Sequence, residues 1–98
     1  MSQRPRPVYV LDWDTIKTDV LRLKDTYMPS RLYVPTRDLV ALAEEHASEF
    51  HGLFQSPSHG GEINRRTLIH RIRTVLVQMG WKRYSEGNHG GVYVDPRV

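Results

Sequence analysis

The stretch from Ile63 to Val94 constrains the fold of this chain more than any other. It reads INRRTLIHRIRTVLVQMGWKRYSEGNHGGVYV, with apolar residues every three or four positions as far as Met79 and two β-prone runs after that. A helical period followed by short strands around glycines predicts a helix that leads into a β-hairpin. Gly80 stands where a helix C-cap glycine is expected, and EGNHGG provides the positive φ angles that a hairpin loop needs.

Positive charge is concentrated in the same stretch. From Ile63 to Ser85 there is no Asp or Glu, and the six basic residues are Arg65, Arg66, Arg71, Arg73, Lys82 and Arg83. The whole chain has 14 Lys and Arg against 11 Asp and Glu, so the remaining residues are net acidic. Clustered basic residues along one helix are typical of a surface that contacts phosphates. A solvated basic helix without a partner would show the same pattern.

Length and composition limit the class of protein. The chain has 98 residues, which is about one small domain, and its 39% hydrophobic and 26% charged residues favour a folded, soluble protein. No apolar run is long enough to span a membrane, and the apolar patch near the N-terminus is too short for a signal peptide. Cysteine is absent, which excludes disulfides and thiolate chemistry. We therefore expect a cytoplasmic, nucleoid-associated protein that is not secreted.

The N-terminal part of the chain predicts an arm followed by a helix. Residues 1–11 are expected to form a flexible basic arm, and residues 12–98 a single domain. Asp12 or Asp14 can cap a first helix over about residues 13–28. One apolar stripe on this helix is formed by Trp13, Ile16, Val20, Leu23 and Tyr27. The residues expected to lie off that stripe are Lys17, Asp19, Arg22 and Lys24.

A short strand and a second helix are predicted next. Residues 31–34 are β-prone and bounded by prolines, which favours an edge strand. Thr36 is the predicted N-cap of a helix that runs to Phe50, and Gly52 is its predicted stop. The Gly-, Ser- and Pro-rich residues 52–63 are expected to form a loop, with Leu53 and Phe54 tucked under the core.

The third helix is predicted over residues 64–79 and the hairpin strands over 81–85 and 92–95. On a helical wheel one side of the third helix is apolar, with Leu68, Ile69, Ile72, Val75, Leu76 and Met79. Most of the remaining side chains are Arg, Thr and His. Trp81 is expected to close the hairpin onto the first and third helices.

The order of these elements resembles that of the winged helix-turn-helix superfamily over residues 12–95. The run LIHRIRTVLVQMGWKR followed by GGVYV is also similar to the small winged-helix domains of phage and viral primase–helicases. The resemblance implies an α+β fold with three helices, a short strand and a C-terminal β-hairpin wing. It further implies that helix 64–79 enters the DNA major groove and that the wing, residues 81–95, contacts phosphate or the minor groove. Unlike a tight helix-turn-helix, this chain has a long loop between its second and third helices.

Base readout and phosphate contact indicate which residues would form the interface. Arg can read guanine, Asn can read adenine, and Thr can contact polar groups or the thymine methyl. The predicted DNA-binding residues are Asn64, Arg65, Arg66, Thr67, His70, Arg71, Arg73 and Thr74 on the helix, with Lys82, Arg83 and His89 in the wing. Arg65 could instead pair with Glu62. For Tyr84 and Tyr93, packing across the hairpin strands is favoured over stacking on sugars or bases.

No pattern of catalytic or metal-binding residues stands out. The spacing of His46 and His51 does not place them on one helical face, and no Cys completes a metal site. Asp12 and Asp14 are better explained as capping residues than as an acid–base pair. The glycine pairs lack the sequence context of phosphate-binding loops. We therefore expect no enzyme activity, no cofactor and no metal.

The preferred hypothesis is sequence-specific binding of double-stranded DNA. The protein would act as a small transcriptional regulator or as a phage or mobile-element accessory factor, with a homodimer as a candidate assembly and no small-molecule effector. The alternative is a protein-interaction adaptor or inhibitor module on the same fold. A third option, binding of structured RNA or single strands, calls for aromatic residues on an open sheet. That option is disfavoured because the aromatic residues are predicted to be scattered on helices.

Overall fold

The computed structural model describes residues 11–56, 63–85 and 90–98. These residues form an α+β fold, in which three α-helices accompany one three-stranded antiparallel sheet. In chain order the elements are α1 (Trp13–Tyr27), β1 (Tyr33–Pro35), α2 (Thr36–Glu45), α3 (Arg65–Gln78), β2 (Lys82–Ser85) and β3 (Val92–Val94). Two 3₁₀ turns, Ala47–Glu49 and His51–Phe54, separate α2 from α3. Apart from Leu11, the predicted basic arm lies outside the described residues.

Helix α1 begins as predicted but buries more polar groups than its sequence pattern indicates. The Asp12 carboxylate accepts a hydrogen bond from the Thr15 N–H at 3.2 Å, which makes Asp12 the N-cap. Asp19 and Lys24 lie off the apolar stripe, yet both are buried. Each is buried because a group distant in sequence pairs with it: the Gly52 N–H donates to Asp19, and Asp95 pairs with Lys24. A helical wheel cannot reveal such partners.

Helix α2 is shorter than predicted. It ends at Glu45 rather than near Phe50, and the 3₁₀ turns that follow place Phe50 and Leu53 in the core. Thr36 is the first helical residue rather than the N-cap. Its hydroxyl donates to the Gly90 carbonyl at 3.1 Å. Thr36 therefore fastens the start of α2 to the hairpin.

Gly52 has a packing role instead of the predicted role as a helix stop. It lies within the second 3₁₀ turn, where its N–H donates to the Asp19 carboxylate at 2.7 Å. A Cβ at this position would lie 2.6 Å from both Asp19 Oδ2 and Thr15 Cγ2. Only glycine lets the turn approach α1 this closely.

Helix α3 has the predicted bounds to within a residue at each end. Asn64 caps its start, and Leu68, Ile72, Val75 and Leu76 are buried, as the periodicity indicates. Gly80 follows its end with a φ of +83°, and the Trp81 N–H donates to the Leu76 carbonyl at 3.0 Å. This closure satisfies carbonyls that the last turn leaves unpaired.

The sheet has the order β1-β3-β2, so β3 is central and β1 lies at an edge, as predicted. Val34 of β1 pairs with Tyr93 of β3, and both side chains face the core. On the other side of β3, Arg83 pairs with Tyr93 and Ser85 with Val92, with an irregularity between them. Because side chains alternate along a strand, the residues on either side of Val34 and Tyr93 point to the opposite face.

The core lies between the three helices and the inner face of the sheet. Its buried apolar members are Ile16, Val20, Leu23, Val34, Leu39, Val40, Ala43, Phe50, Leu53, Leu68, Ile72, Val75, Leu76, Trp81 and Tyr93. Trp81 and Leu53 lie in the core as predicted, and Phe54 is half-buried against it. No helix in the described ranges is both long and apolar enough to cross a membrane.

Candidate nucleic-acid interface

The outward side of α3 carries several of the predicted contact residues. Arg66 and His70 are exposed, Thr74 is half-buried, and Val77 is 60% exposed. They share one side of the helix because their spacing follows its 3.6-residue period, and the buried Leu68, Ile72 and Leu76 lie on the other side. Arg66 forms no ion pair with another described residue. Its guanidinium is therefore available to a ligand.

The first turn of α3 uses its polar side chains for capping. Asn64 Oδ1 accepts from the Thr67 N–H at 2.9 Å and from the Thr67 hydroxyl at 3.1 Å. Reading adenine with both ends of an asparagine amide would require this oxygen to leave the cap. Asn64 and Thr67 therefore lie at the predicted surface, but their main contribution is to start the helix.

Arg65 is held by a carboxylate on α2. Its guanidinium donates to Glu44 through Nη2 at 2.6 Å and through Nε at 3.4 Å. The hydrogen bond to Glu44 raises the pKa of Arg65. Glu62, the partner considered from sequence, lies outside the described residues. Since its charge is already paired, Arg65 is a weaker phosphate ligand than its neighbour Arg66.

Arg71 does not lie on the contact surface predicted for it. Its side chain is 2% exposed, and Nη1 donates to the Leu53 carbonyl at 2.8 Å. Burial lowers the pKa of Arg71. The physical reason is its angular position: Arg71 is next to Ile72 on the helix and faces the 3₁₀ turn that contains Leu53. Without displacing that turn, this guanidinium cannot reach a phosphate.

Two basic side chains converge on Tyr93 and join α3 to β2. Arg73 Nε lies 3.3 Å from the Tyr93 hydroxyl, which accepts its hydrogen bond. The Arg83 guanidinium carbon lies 5.9 Å from the centroid of the same ring. Lys82 is exposed on β2, and neither it nor Arg83 forms an ion pair with a described residue. The predicted wing contact His89 lies outside the described residues.

A shallow depression of about 340 Å³ marks the middle of this surface. Its described lining residues are His70, Arg73, Thr74, Val77 and Gln78, all from α3. Donors, acceptors and one apolar group thus lie side by side. This mixture suits base edges in a major groove, which offer polar groups and the thymine methyl.

The sheet carries an aromatic pair that was not predicted from the sequence. Tyr33 and Tyr84 are 46% and 64% exposed, and their ring centroids lie 4.5 Å apart at an interplanar angle of 48°. The view that aromatic residues are scattered on helices is therefore wrong for these two. The alternation of Tyr33 with the apolar Val34 is the sequence signal that could have placed Tyr33 on the outer face.

Comparisons with protein-family models, curated proteins and solved structures returned no match. Within residues 11–56, 63–85 and 90–98, no group of three or more His, Asp or Glu side chains is arranged to hold a metal ion.

Proposed function

We propose that this protein binds double-stranded DNA through the outward side of α3 together with β2. One observation carries the proposal: Arg73 of α3 and Arg83 of β2 converge on Tyr93, so basic side chains of the two elements adjoin. Arg66 lies on the outward side of α3, and Lys82 lies on the outer face of the edge strand β2. Residues 63–85 contain no acidic side chain that would repel phosphates.

The architecture supports the same proposal. Three helices and a three-stranded antiparallel sheet in this order are compatible with a winged-helix layout. In that arrangement α3 is the recognition helix and the β2–β3 hairpin is the wing. The protein would then act as a small transcriptional regulator or as a phage or mobile-element accessory factor.

The side chains divide into two roles under this proposal. Arg66 and His70 are exposed near the start of α3, where recognition helices contact base edges. Lys82 and Arg83 are on a strand outside the helix and would contact phosphates, which position the protein without reading sequence. Specificity should therefore depend on α3, whereas general affinity should depend on both elements.

The direct test measures binding of random-sequence duplex DNA by fluorescence anisotropy, with single-stranded DNA of the same length for comparison. We expect duplex to be preferred and Arg66→Ala to weaken its binding by about tenfold, the loss that follows from one charge-assisted contact of roughly 1.4 kcal/mol. Lys17→Ala is the matched control, because Lys17 is an exposed cation on α1 that forms no ion pair with another described residue.

Thermal unfolding of each variant checks that the fold is intact. Absent or salt-insensitive duplex binding by the folded wild type would refute the proposal. The next candidate would then be an adaptor or inhibitor module that docks an acidic protein on the same basic surface. An equal effect of Arg66→Ala and Lys17→Ala would show that attraction is general and that α3 has no special part in it.

A further inference from the structure

The outer face of the sheet carries the exposed aromatic pair, Tyr33 and Tyr84. Tyr33 and Lys82 both pair with Val94 of the central strand, so their side chains share the face opposite to the buried Tyr93. The Tyr84 ring contacts the Tyr33 ring across β3 and therefore lies on this face as well. The high exposure of both tyrosines shows that no described helix or turn covers them.

The charge on the sheet is of one sign. Over the described strand residues 33–35, 82–85 and 92–94, the charged side chains are Lys82 and Arg83, both basic. Lys82 shares the outer face with the two tyrosines, whereas Arg83 lies over Tyr93 on the inner side. An exposed aromatic face beside a cation matches a nucleobase with its phosphate, because the ring stacks on the base and the cation pairs with the backbone.

The aromatic pair lies on the other side of the edge strand β2 from the surface that carries the proposed function. Arg83 immediately precedes Tyr84 on β2, and Arg83 and Arg73 converge on Tyr93. Because side chains alternate along a strand, Arg83 and Tyr84 point to opposite faces of β2. A single strand that leaves a duplex held on α3 would reach Tyr84 by passing round the edge of the sheet, which β2 forms.

We infer that Tyr33 and Tyr84 form a stacking site for an unpaired base, so that the preferred ligand is duplex DNA with an adjoining single-stranded segment. This inference rests on the proposed duplex binding and adds a second contact to it. Stacking depends on the π face that every base shares, so the contact is insensitive to sequence. The two surfaces together would recognise the junction between paired and unpaired DNA.

The test compares a blunt duplex with the same duplex carrying a short single-stranded overhang. We expect wild type to bind the overhang duplex more tightly. Tyr84→Ala should remove this advantage, because losing one stacked base weakens binding of the overhang duplex by roughly 5- to 150-fold. Tyr84→Phe should keep it because the ring remains. A 2-aminopurine in the overhang should be quenched by wild type and Tyr84→Phe, and not by Tyr84→Ala.

Blunt-duplex binding separates this inference from the proposed function. If wild type binds the blunt duplex but gains nothing from the overhang, or if Tyr84→Ala keeps the gain, the stacking site is refuted and duplex binding stands. If neither DNA binds, both fail. Sedimentation of wild type and Tyr84→Ala tests whether a second copy of the chain covers this face instead. If wild type is a dimer and Tyr84→Ala is a monomer, the face is an interface between copies and the inference is overturned.

Discussion

Arg71 and Arg66 are the same residue type on one helix, yet they differ in what they contact. Arg66 points outward with no described partner, whereas Arg71 is buried against the chain that follows α2. The Arg71 hydrogen bond to the Leu53 carbonyl connects α3 to the second 3₁₀ turn. The long aliphatic part of an arginine side chain also fills interior volume. Arg71 is therefore a structural residue, and Arg66 is a candidate for ligand contact.

We expect Arg71→Ala to lower the free energy of unfolding by about 2–4 kcal/mol, because it leaves a cavity and removes the donor to the Leu53 carbonyl. Arg66→Ala should change it by less than about 0.5 kcal/mol. Urea denaturation followed by circular dichroism measures both. Equal midpoints for Arg71→Ala and wild type would contradict the buried position of this side chain.

The contrast between these arginines shows where sequence reasoning stops. A helical wheel places Ile72 and Leu76 correctly in the core, because apolar periodicity depends only on local geometry. It places Arg71 at the surface because arginine is charged. The side chain is instead buried, with a hydrogen bond to the Leu53 carbonyl, which lies 18 positions away in the sequence. Asp19 and Lys24 are similar, since each is buried with a partner from a distant part of the chain, the Gly52 N–H for Asp19 and Asp95 for Lys24.

At the scale of elements, α1 is connected to the end of the chain by a network of charges. Lys24 Nζ lies 2.7 Å from Asp95 Oδ2, and both side chains are fully buried. Arg97 also donates to Asp95 and continues the network to Asp25 at the surface. Asp95 follows β3 directly, so this network holds the hairpin against the helices. Removing one partner of a buried pair leaves the other charged and unsatisfied.

The network predicts how stability depends on pH. Burial alone would raise the pKa of Asp95, but hydrogen bonds from Arg97 and Lys24 outweigh it and lower the pKa from 3.8 to about 2. Because the folded pKa lies below the unfolded one, the carboxylate stabilises the fold above about pH 4, and this contribution is lost as the pH falls through about 2. The shift is worth roughly 2 kcal/mol.

Asp95→Asn should therefore lower the free energy of unfolding by about 3–5 kcal/mol at neutral pH, because Lys24 loses its charge partner. Between about pH 5 and pH 2, protonation of Asp95 should lower the free energy of unfolding of the wild type by roughly 2 kcal/mol. Asp95→Asn should not show this decrease, since asparagine does not titrate. Asp25→Asn, at the exposed end of the network, is the control and should cost less than about 1 kcal/mol. Parallel pH profiles for wild type and Asp95→Asn would be inconsistent with a paired Asp95.

The boundaries of α2 mark a second limit of prediction from sequence. The apolar spacing from Leu39 to Phe50 fits one helix, and the pattern alone gives no reason to end it at Glu45. The structure ends it there because the 3₁₀ turns bring Phe50 and Leu53 to the core and place Gly52 against Asp19. By contrast, the ends of α3 could be predicted, because Asn64 and Gly80 are local capping signals. The same limit applies to the tyrosine pair, which forms only once β1 and β2 flank β3.

For the whole molecule, charge is unevenly distributed between two parts of the surface. The chain is +3 overall, although residues 63–85 alone carry six basic and no acidic side chains. Two of those six are already committed within the protein, Arg65 to Glu44 and Arg71 to the Leu53 carbonyl. The basic side chains that remain are Arg66, Arg73 and Arg83, with Lys82 on the outer face of the edge strand β2. An anionic ligand would be drawn to this segment, because the rest of the chain is net acidic.

This count gives a quantitative expectation for DNA binding. Each neutralised phosphate of a duplex contributes about −0.9 to the slope of log K against log salt, so four contacts predict a slope of roughly −3.6 or steeper. Alanine at Arg66, Lys82 or Arg83 should each make the slope shallower by about 0.9. Arg65→Ala should change it far less, since Glu44 already neutralises that charge, and Lys17→Ala should leave it unchanged. Blunt-duplex affinities measured from roughly 50 to 200 mM salt give these slopes.

If Arg65→Ala or Lys17→Ala makes the slope as much shallower as Lys82→Ala does, the DNA phosphates do not specifically contact the basic side chains of α3 and β2. A shallower slope for the alanine variants of Arg66, Lys82 and Arg83 alone would identify these three side chains as phosphate contacts.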